Sequence, residues 1–374
     1  MLTRPLPPPK VLGYTQVTND GQQKAGRLVT DGSRLYFGEV APAQFVLAQA
    51  STVGGETQTI PTGNQNLGLL DISGDRSELL VQSFAGLELE GPFSVVPTLG
   101  GAPRRLGDIV AHDATWSPDG GKILYAKGND LFLAKKDGSE PRKFATLPGR
   151  ASWLRWSPDG SRLRFTMNGS ELWEISSNGT NAHALLPAWN SPHAECCGSW
   201  TPDGKYFVFE SRHQGRTHIW AIPEKKPLFR KATTEPVQLS AGPVDFFGPV
   251  PSADGKKLFA VGSQPRGELV RFDSKSQQFL PYLSGISSVG VSFSKDGAWV
   301  AYVTFPEGTL WRSKTDGTER LQLTSPPTQA FQPVWSPEGK RIAFMGLSAS
   351  DKNWRIYVVP AEGGSPEALT PGRA

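Results

Sequence analysis

Apolar residues along the chain gather in short runs, such as Ile123-Leu124-Tyr125-Ala126, and not in stretches with a 3.6-residue period. Runs that brief, rich in β-branched and aromatic side chains, predict strands, and the Gly, Pro, Asn and Asp between them predict tight turns. One stretch shows the arrangement in full. Residues 114–117, 123–126, 130–135 and 142–147 each read as a strand. Pro118-Asp119-Gly120-Gly121 joins the first two, Pro presetting φ and Gly accepting a positive one, and Asp137-Gly138 is a second hairpin turn. The second turn recurs as Gly54-Gly55, Gly100-Gly101, Asn178-Gly179, Asp316-Gly317 and Gly363-Gly364.

The whole four-strand grouping repeats. Trp116-Ser117-Pro118-Asp119-Gly120, Trp156-Ser157-Pro158-Asp159-Gly160 and Trp200-Thr201-Pro202-Asp203-Gly204 are nearly identical, and Trp335-Ser336-Pro337-Glu338-Gly339 differs by one methylene. Phe293-Ser294-Lys295-Asp296-Gly297 is a fifth copy, with weaker ones opening at Leu28, Ile72 and Pro251. The eight copies are spaced by 44, 44, 40, 44, 51, 42 and 42 residues. A period near 42 is that of one four-stranded propeller blade, so the fold class predicted is all-β, an eight-bladed β-propeller of four-stranded antiparallel blades. A sandwich also has strands about ten residues apart, but nothing in it requires a fixed 42-residue period. Residues 23–374 are read as one propeller domain. Residues 1–22 are read as a Pro-rich linker plus a ring-closing strand over Val11–Thr18, with residues 366–370 as the competing closing strand; closure removes the exposed edges that invite aggregation.

This grammar gives the conspicuous residues structural roles. Trp116, Trp156, Trp200, Phe293 and Trp335 are expected to pack between neighbouring blades. Asp119, Asp159, Asp203, Asp296 and Glu338 are expected to accept backbone N–H groups within their own turns, and not to serve as catalytic carboxylates.

The Trp-Ser-Pro-Asp-Gly copies resemble the WD40-like, TolB-type propeller repeats of bacteria. Residues 14–21 and 28–37 are similar to the opening of propellers found at the C-terminus of winged-helix membrane regulators. The resemblance covers nearly the whole chain. It implies a sensory or protein-interaction module in a periplasmic or other extracytoplasmic setting, and no particular ligand. TolB-type proteins carry an additional N-terminal α/β domain, for which this sequence offers no counterpart.

Charge and composition narrow the function. The net charge is +4, and Lys and Arg are interleaved with Asp and Glu instead of forming the basic stripe with stacking aromatics that a nucleic-acid groove needs. No run approaches the roughly 18 apolar residues of a membrane helix, so no membrane contact by this segment is expected. The Pro-rich start has no apolar leader core, and the chain is expected to be the C-terminal part of a longer protein. A monomer is the expected state. No nucleotide-binding loop and no Gly-x-Ser-x-Gly elbow occurs, and no cofactor is assigned.

Propellers bind ligands through the loops that enter each innermost strand. Here those loops hold His112, Asp113, Trp153, Glu195, Cys197, Phe247, Phe331 and Gln332, an aromatic ring with a few polar groups that suits a peptide side chain or an apolar small molecule, and a protein or peptide partner is expected. The alternative is that these aromatics cap the hydrophobic core. Cys196 and Cys197, the only two cysteines, are adjacent. Free thiols, a vicinal disulfide, and a metal held with His193 and Glu195 are the three readings. Adjacent cysteines rarely present both sulfurs to one ion and no second pair exists, so no metal is assigned. His183, His213 and His218 read as outer-blade residues, and the basic insertion Glu224–Lys231 as a solvated loop or a partner contact. The function predicted is a non-catalytic interaction or sensory module. One alternative is a channel-site, metal-dependent lyase or hydrolase in which His112, Asp113, His193 and Glu195 meet. The other is a module that sets oligomer geometry.

Overall fold

The computed structural model describes residues 9–41, 44–63, 66–84, 86, 88–190, 193–213, 215–224, 235–347 and 354–369. Among them every regular element is a strand. Seven of the eight repeats form a four-stranded antiparallel sheet whose strands lie side by side in chain order. In the third, Asp113–Trp116, Lys122–Lys127, Asp130–Lys135 and Arg142–Thr146 pair in succession, within one residue of the expected bounds. The sixth repeat forms two hairpins, Asp245–Pro251 with Leu258–Ser263 and Val270–Asp273 with Gln278–Pro281. Most of the basic insertion, 225–231, lies outside the described residues.

The chain divides into two compact units, Met1–Ser263 and Gln264–Ala374. The first holds five four-stranded sheets and the Asp245–Ser263 hairpin. Its inner strands are Gln23–Thr30, Leu67–Ile72, Asp113–Trp116, Ala151–Trp156, Glu195–Trp200 and Asp245–Pro251, and each neighbours the next. The sixth also neighbours the first: Leu28, Leu35, Phe37 and Ala48 pack with Phe259, and Val250 joins them. The second unit holds the Val270–Pro281 hairpin and the seventh and eighth sheets.

Hydrophobic clusters lie between consecutive sheets. Trp116 is buried with Leu80, Phe93 and Ile109 of the second sheet and Ile123 and Tyr125 of its own. Trp156 packs where Leu131 and Leu133 meet Leu154 and Leu163, Trp200 joins Leu172 to Phe207 and Phe209, and Trp335 joins Val303 and Leu310 to Ile342 and Phe344. Burying a ring of this size contributes about 2–3 kcal/mol. Phe293 differs. It is 50% exposed, with the Tyr282 ring 6.1 Å away.

In most of the copies the turn after the motif position is closed by its acid. Asp119 accepts the Ser117 hydroxyl at 2.5 Å and the Gly121 N–H at 3.0 Å, and Asp159, Asp203, Asp254 and Asp296 each do the same in their own turns. These bonds favour the ionised form and hold the carboxyls below the usual range, at about 2 for Asp159 and Asp203; the largest cause is the Ser157 hydroxyl for Asp159 and Lys205 for Asp203.

The strand expected over Val11–Thr18 does not form. Val17 packs on the Leu28–Phe259 cluster, and Tyr14 stacks on Phe246 at 5.2 Å while its hydroxyl donates to the Ala241 carbonyl, but Leu12 stays exposed. The fourth position of the last sheet is filled by Glu367–Ala368.

Candidate ligand-binding site

Strands that converge on an axis must bend, and most inner strands of this chain bend by a bulge. The ladder of the inner strand slips between Ser152 and Arg155, Cys196 and Ser199, Phe247 and Val250, and Phe331 and Val334. The residue three before the motif position sits there with a left-handed backbone: Trp153 (φ 56°), Cys197 (63°), Gly248 (57°), Gly290 (61°) and Gln332 (46°). Glycine takes this conformation freely, whereas Trp, Cys and Gln take it at a cost of roughly 1–2 kcal/mol. A bulge also frees an N–H from the ladder and re-aims its side chain.

In the first unit each freed N–H is taken by a side chain of the preceding sheet. Trp153 N–H donates to Asp113 Oδ2 at 2.8 Å, Cys197 N–H to Thr166 Oγ1 at 3.2 Å, and Gly248 N–H to Glu210 Oε2 at 2.6 Å. Thr166 and Glu210 hold equivalent places, opposite Ser152 and Cys196 on the second strands of their sheets. Where the fourth sheet uses a neutral hydroxyl, the fifth uses a carboxyl. Burial pushes Glu210 up to about 7, against the opposing effect of the Gly248 bond.

A charged cluster fills the axis below these bulges. Arg27 makes an ion pair with Asp113 and donates Nη1 to the Leu70 carbonyl at 2.6 Å, both partners being buried. Its guanidinium lies over the Trp153 ring, 4.8 Å from the centroid. The far edge of that ring comes within 3.7 Å of where a Cβ on Gly248 would stand, so Trp153 reaches from the fourth inner strand towards the first and the sixth. Asp71 accepts the Thr115 hydroxyl at 2.7 Å and the Trp116 N–H at 3.0 Å. Arg155 stands 4.0 Å from Asp71 and is held down to about 10, by burial first and then by Arg27. Arg27, Asp71, Thr115 and Arg155 each stand one residue before the motif position. A polar residue recurring at that place was the signal that would have found them in the sequence.

The remaining predicted residues separate into groups. His112 is buried at the start of the third inner strand, its Nε2 2.7 Å from the Ala151 carbonyl and its Nδ1 3.5 Å from Glu90. His193 lies between Glu171 (3.8 Å) and the wholly buried Glu195 (3.3 Å), whose oxygens take no hydrogen bond among the described residues. Among the described residues the two histidines share no partner and Asp113 is engaged by Arg27 and Trp153, so these residues do not bring the four-residue constellation together. Cys196 and Cys197 form a disulfide. Phe247 is 37% exposed. Phe331 and Gln332 belong to the second unit, where Phe331 meets Trp354 edge to face at 4.9 Å.

The surface at this end of the first unit is concave. A depression of about 580 Å³ is lined by Gln82, Phe84, Leu89, His112, Ser152 and Asn168 among others, spanning the second to fourth sheets. Phe84 and Leu89 are exposed, while Gln82 is fixed below them by donating to the Leu89 and Ala111 carbonyls.

No family model matches the chain. It is 24% identical over 197 residues to the uncharacterized peptidase YuxL of Bacillus subtilis, a match covering 51% of this chain but 28% of that protein. It is 23% identical over 229 residues to the uncharacterized protein Atu1656 of Agrobacterium fabrum, covering 57% of this chain and 74% of that one. Among solved structures it is similar to one assigned as TolB from Agrobacterium tumefaciens (18% identity, TM-score 0.30, covering 69% of this chain and 79% of that one). It is similar also to the Cps50 (Swd1) β-propeller domain of Myceliophteria thermophila (15% identity, TM-score 0.37, covering 76% and 94%). The assignment of fold rests on the sheets themselves: a 42-residue repeat, folded each time as antiparallel strands in chain order, with each inner strand of the first unit beside the next, makes this a β-propeller protein.

Proposed function

We propose that the chain is a non-catalytic interaction module that takes an extended peptide segment of a partner protein at the end of the first unit where the inner strands begin. The observation that carries this reading is the depression between the second and fourth sheets, where exposed Phe84 and Leu89 stand beside the polar Ser152 and Asn168, with the covered His112 in the lining. An apolar wall with a few fixed polar groups is how extended peptides are held. The charged groups deeper on the axis are already committed to one another, Arg27 to Asp113 and Asp71 to Thr115 and Trp116, and the Trp153 ring lies across their path. The ligand therefore rests on the surface and does not thread the axis. By its resemblance to TolB-type propellers, the module works in an extracytoplasmic setting as part of a longer protein.

Selection from a displayed peptide library on the full chain tests this. The expected result is enrichment of peptides that bind the wild type and lose about tenfold or more in affinity to Leu89→Asp, while Lys136→Ala at the opposite end binds normally. No enrichment, or equal binding to Leu89→Asp, would overturn the proposal. So would turnover of a peptide that His112→Ala abolishes.

A further inference from the structure

In a regular strand, neighbouring side chains point to opposite faces, and two adjacent cysteines cannot meet. The bulge at Cys197 changes this, because the left-handed backbone turns its side chain towards that of Cys196. The sequence offered His193 and Glu195 as companions, but Glu195 pairs across the sheet with Ser211 and lies on the other face. The residue directly opposite Cys196 is Glu210, whose carboxylate projects from the same face. One carboxylate oxygen and the two sulfurs all lie within 4.8 Å of one another. Cys197 is buried, Cys196 and Glu210 are half-buried, and the Glu210 carboxylate is anchored by the Gly248 N–H on Oε2. A metal-binding carboxylate needs such anchoring.

We infer that Cys196, Cys197 and Glu210 form a redox-gated site for a thiophilic divalent cation of the zinc and cadmium class. In the disulfide form the site is shut, because neither sulfur is a thiolate. A small dithiol opens it. A thiolate of the reductant attacks the more accessible Cys196 sulfur, the Cys196–Cys197 bond breaks, and the mixed disulfide resolves when the second reductant thiol displaces Cys196. Two electrons and two protons pass to the cysteine pair, and the reductant leaves as a disulfide. The cation then displaces the two thiol protons and binds both thiolates and the Glu210 carboxylate. Bonds of about 2.0–2.3 Å set tetrahedral donors about 4 Å apart, so the two sulfurs separate from bonding distance once the disulfide is cut, while the carboxylate oxygen already lies within 4.8 Å of both. Three protein donors leave a fourth position open. Thiolates select such soft ions over calcium and magnesium. The inference does not rest on the peptide reading, since the site faces the sixth inner strand and its test requires no peptide.

The test is a cadmium titration of the full chain, reduced with a phosphine that is then removed under argon, and followed by the thiolate-to-cadmium charge-transfer band in the ultraviolet. Saturation at one ion per chain is expected in the reduced protein, and no band in the disulfide form. Cys196→Ser and Cys197→Ser should each lose the band, and Glu210→Gln should keep it with affinity about tenfold weaker. Circular dichroism of each protein reports its folding independently. A reduced, folded wild type without the band would overturn the inference, and Glu210→Gln binding as tightly as wild type would overturn the carboxylate's part in it.

Discussion

The two ends of the inner strands follow different rules. At the end where they leave for the motif turns, the repeats converge: Ser-Pro-Asp-Gly or a near copy, with the acid bonded to the same hydroxyl and the same N–H. At the end where the strands begin, they diverge. The bulge position is Trp153 in one sheet, Cys197 in the next and Gly248 in the one after, and the group that takes its N–H is in turn an aspartate, a threonine and a glutamate. A geometry shared by the repeats but filled by different chemistry is where a repeat fold has room for function. A geometry filled by one chemistry is scaffold.

Breaking either end tests that contrast. The largest losses are expected in the first unit from Trp116→Ala, which empties a contact between two sheets, and from Arg27→Met, which leaves Asp113 buried without its cation. Each should cost about 3–5 kcal/mol in denaturant unfolding. If the Arg27–Asp113 pair serves specificity and not net stability, Arg27→Met with Asp113→Asn, which removes both charges and keeps an acceptor for the Trp153 N–H, should recover most of the loss. A smaller effect, about 1–3 kcal/mol, is expected from Thr166→Val, which leaves the buried Cys197 N–H without an acceptor.

Acid should weaken the scaffold end. The turn aspartates have folded-state values lowered from 3.8, to about 2 for Asp75, Asp159 and Asp203, each bonded first to its neighbouring hydroxyl or, in Asp203, to Lys205. Their stabilisation is present above the unfolded value and is lost as pH falls from about 4 towards 2. Melting temperatures taken across that interval should fall, and the fall should be shallower in Asp159→Asn. The smallest effect sharpens the contrast from the other side. Gln332, left-handed and exposed, should tolerate Gln332→Gly with a gain of about 0.5–1 kcal/mol, whereas a glycine at Trp153 would forfeit the stacking on Arg27.

What could be read in the sequence divides along the same line. The motif turns are local, four or five residues long, so their chemistry is written consecutively, and the strands of the third repeat follow from them to within a residue. The hairpin turns and the repeat period are equally local. The bulges are not, because a bulge is a relation between two strands some fifteen residues apart, and Trp, Cys and Gln carry no sign that they will sit at positive φ. For the same reason Glu210 went unseen beside the cysteines, and Arg27 beside Asp113, 86 residues away. Val11–Thr18 looked like a strand because its composition fits one, but the partner edge was already occupied by Glu367–Ala368. Phe293 matched the motif and yet lies half exposed.

The most direct measurement is amide hydrogen exchange of the full chain with and without a selected peptide. The account predicts slowed exchange around Phe84–Glu90, Ala111–Asp113, Arg150–Ser152 and Asn168–Gly169, with the motif turns at Ser117–Gly120, Ser157–Gly160 and Thr201–Gly204 unchanged. Protection confined to those turns would contradict it, and would move the binding surface to the end that the repeats hold in common.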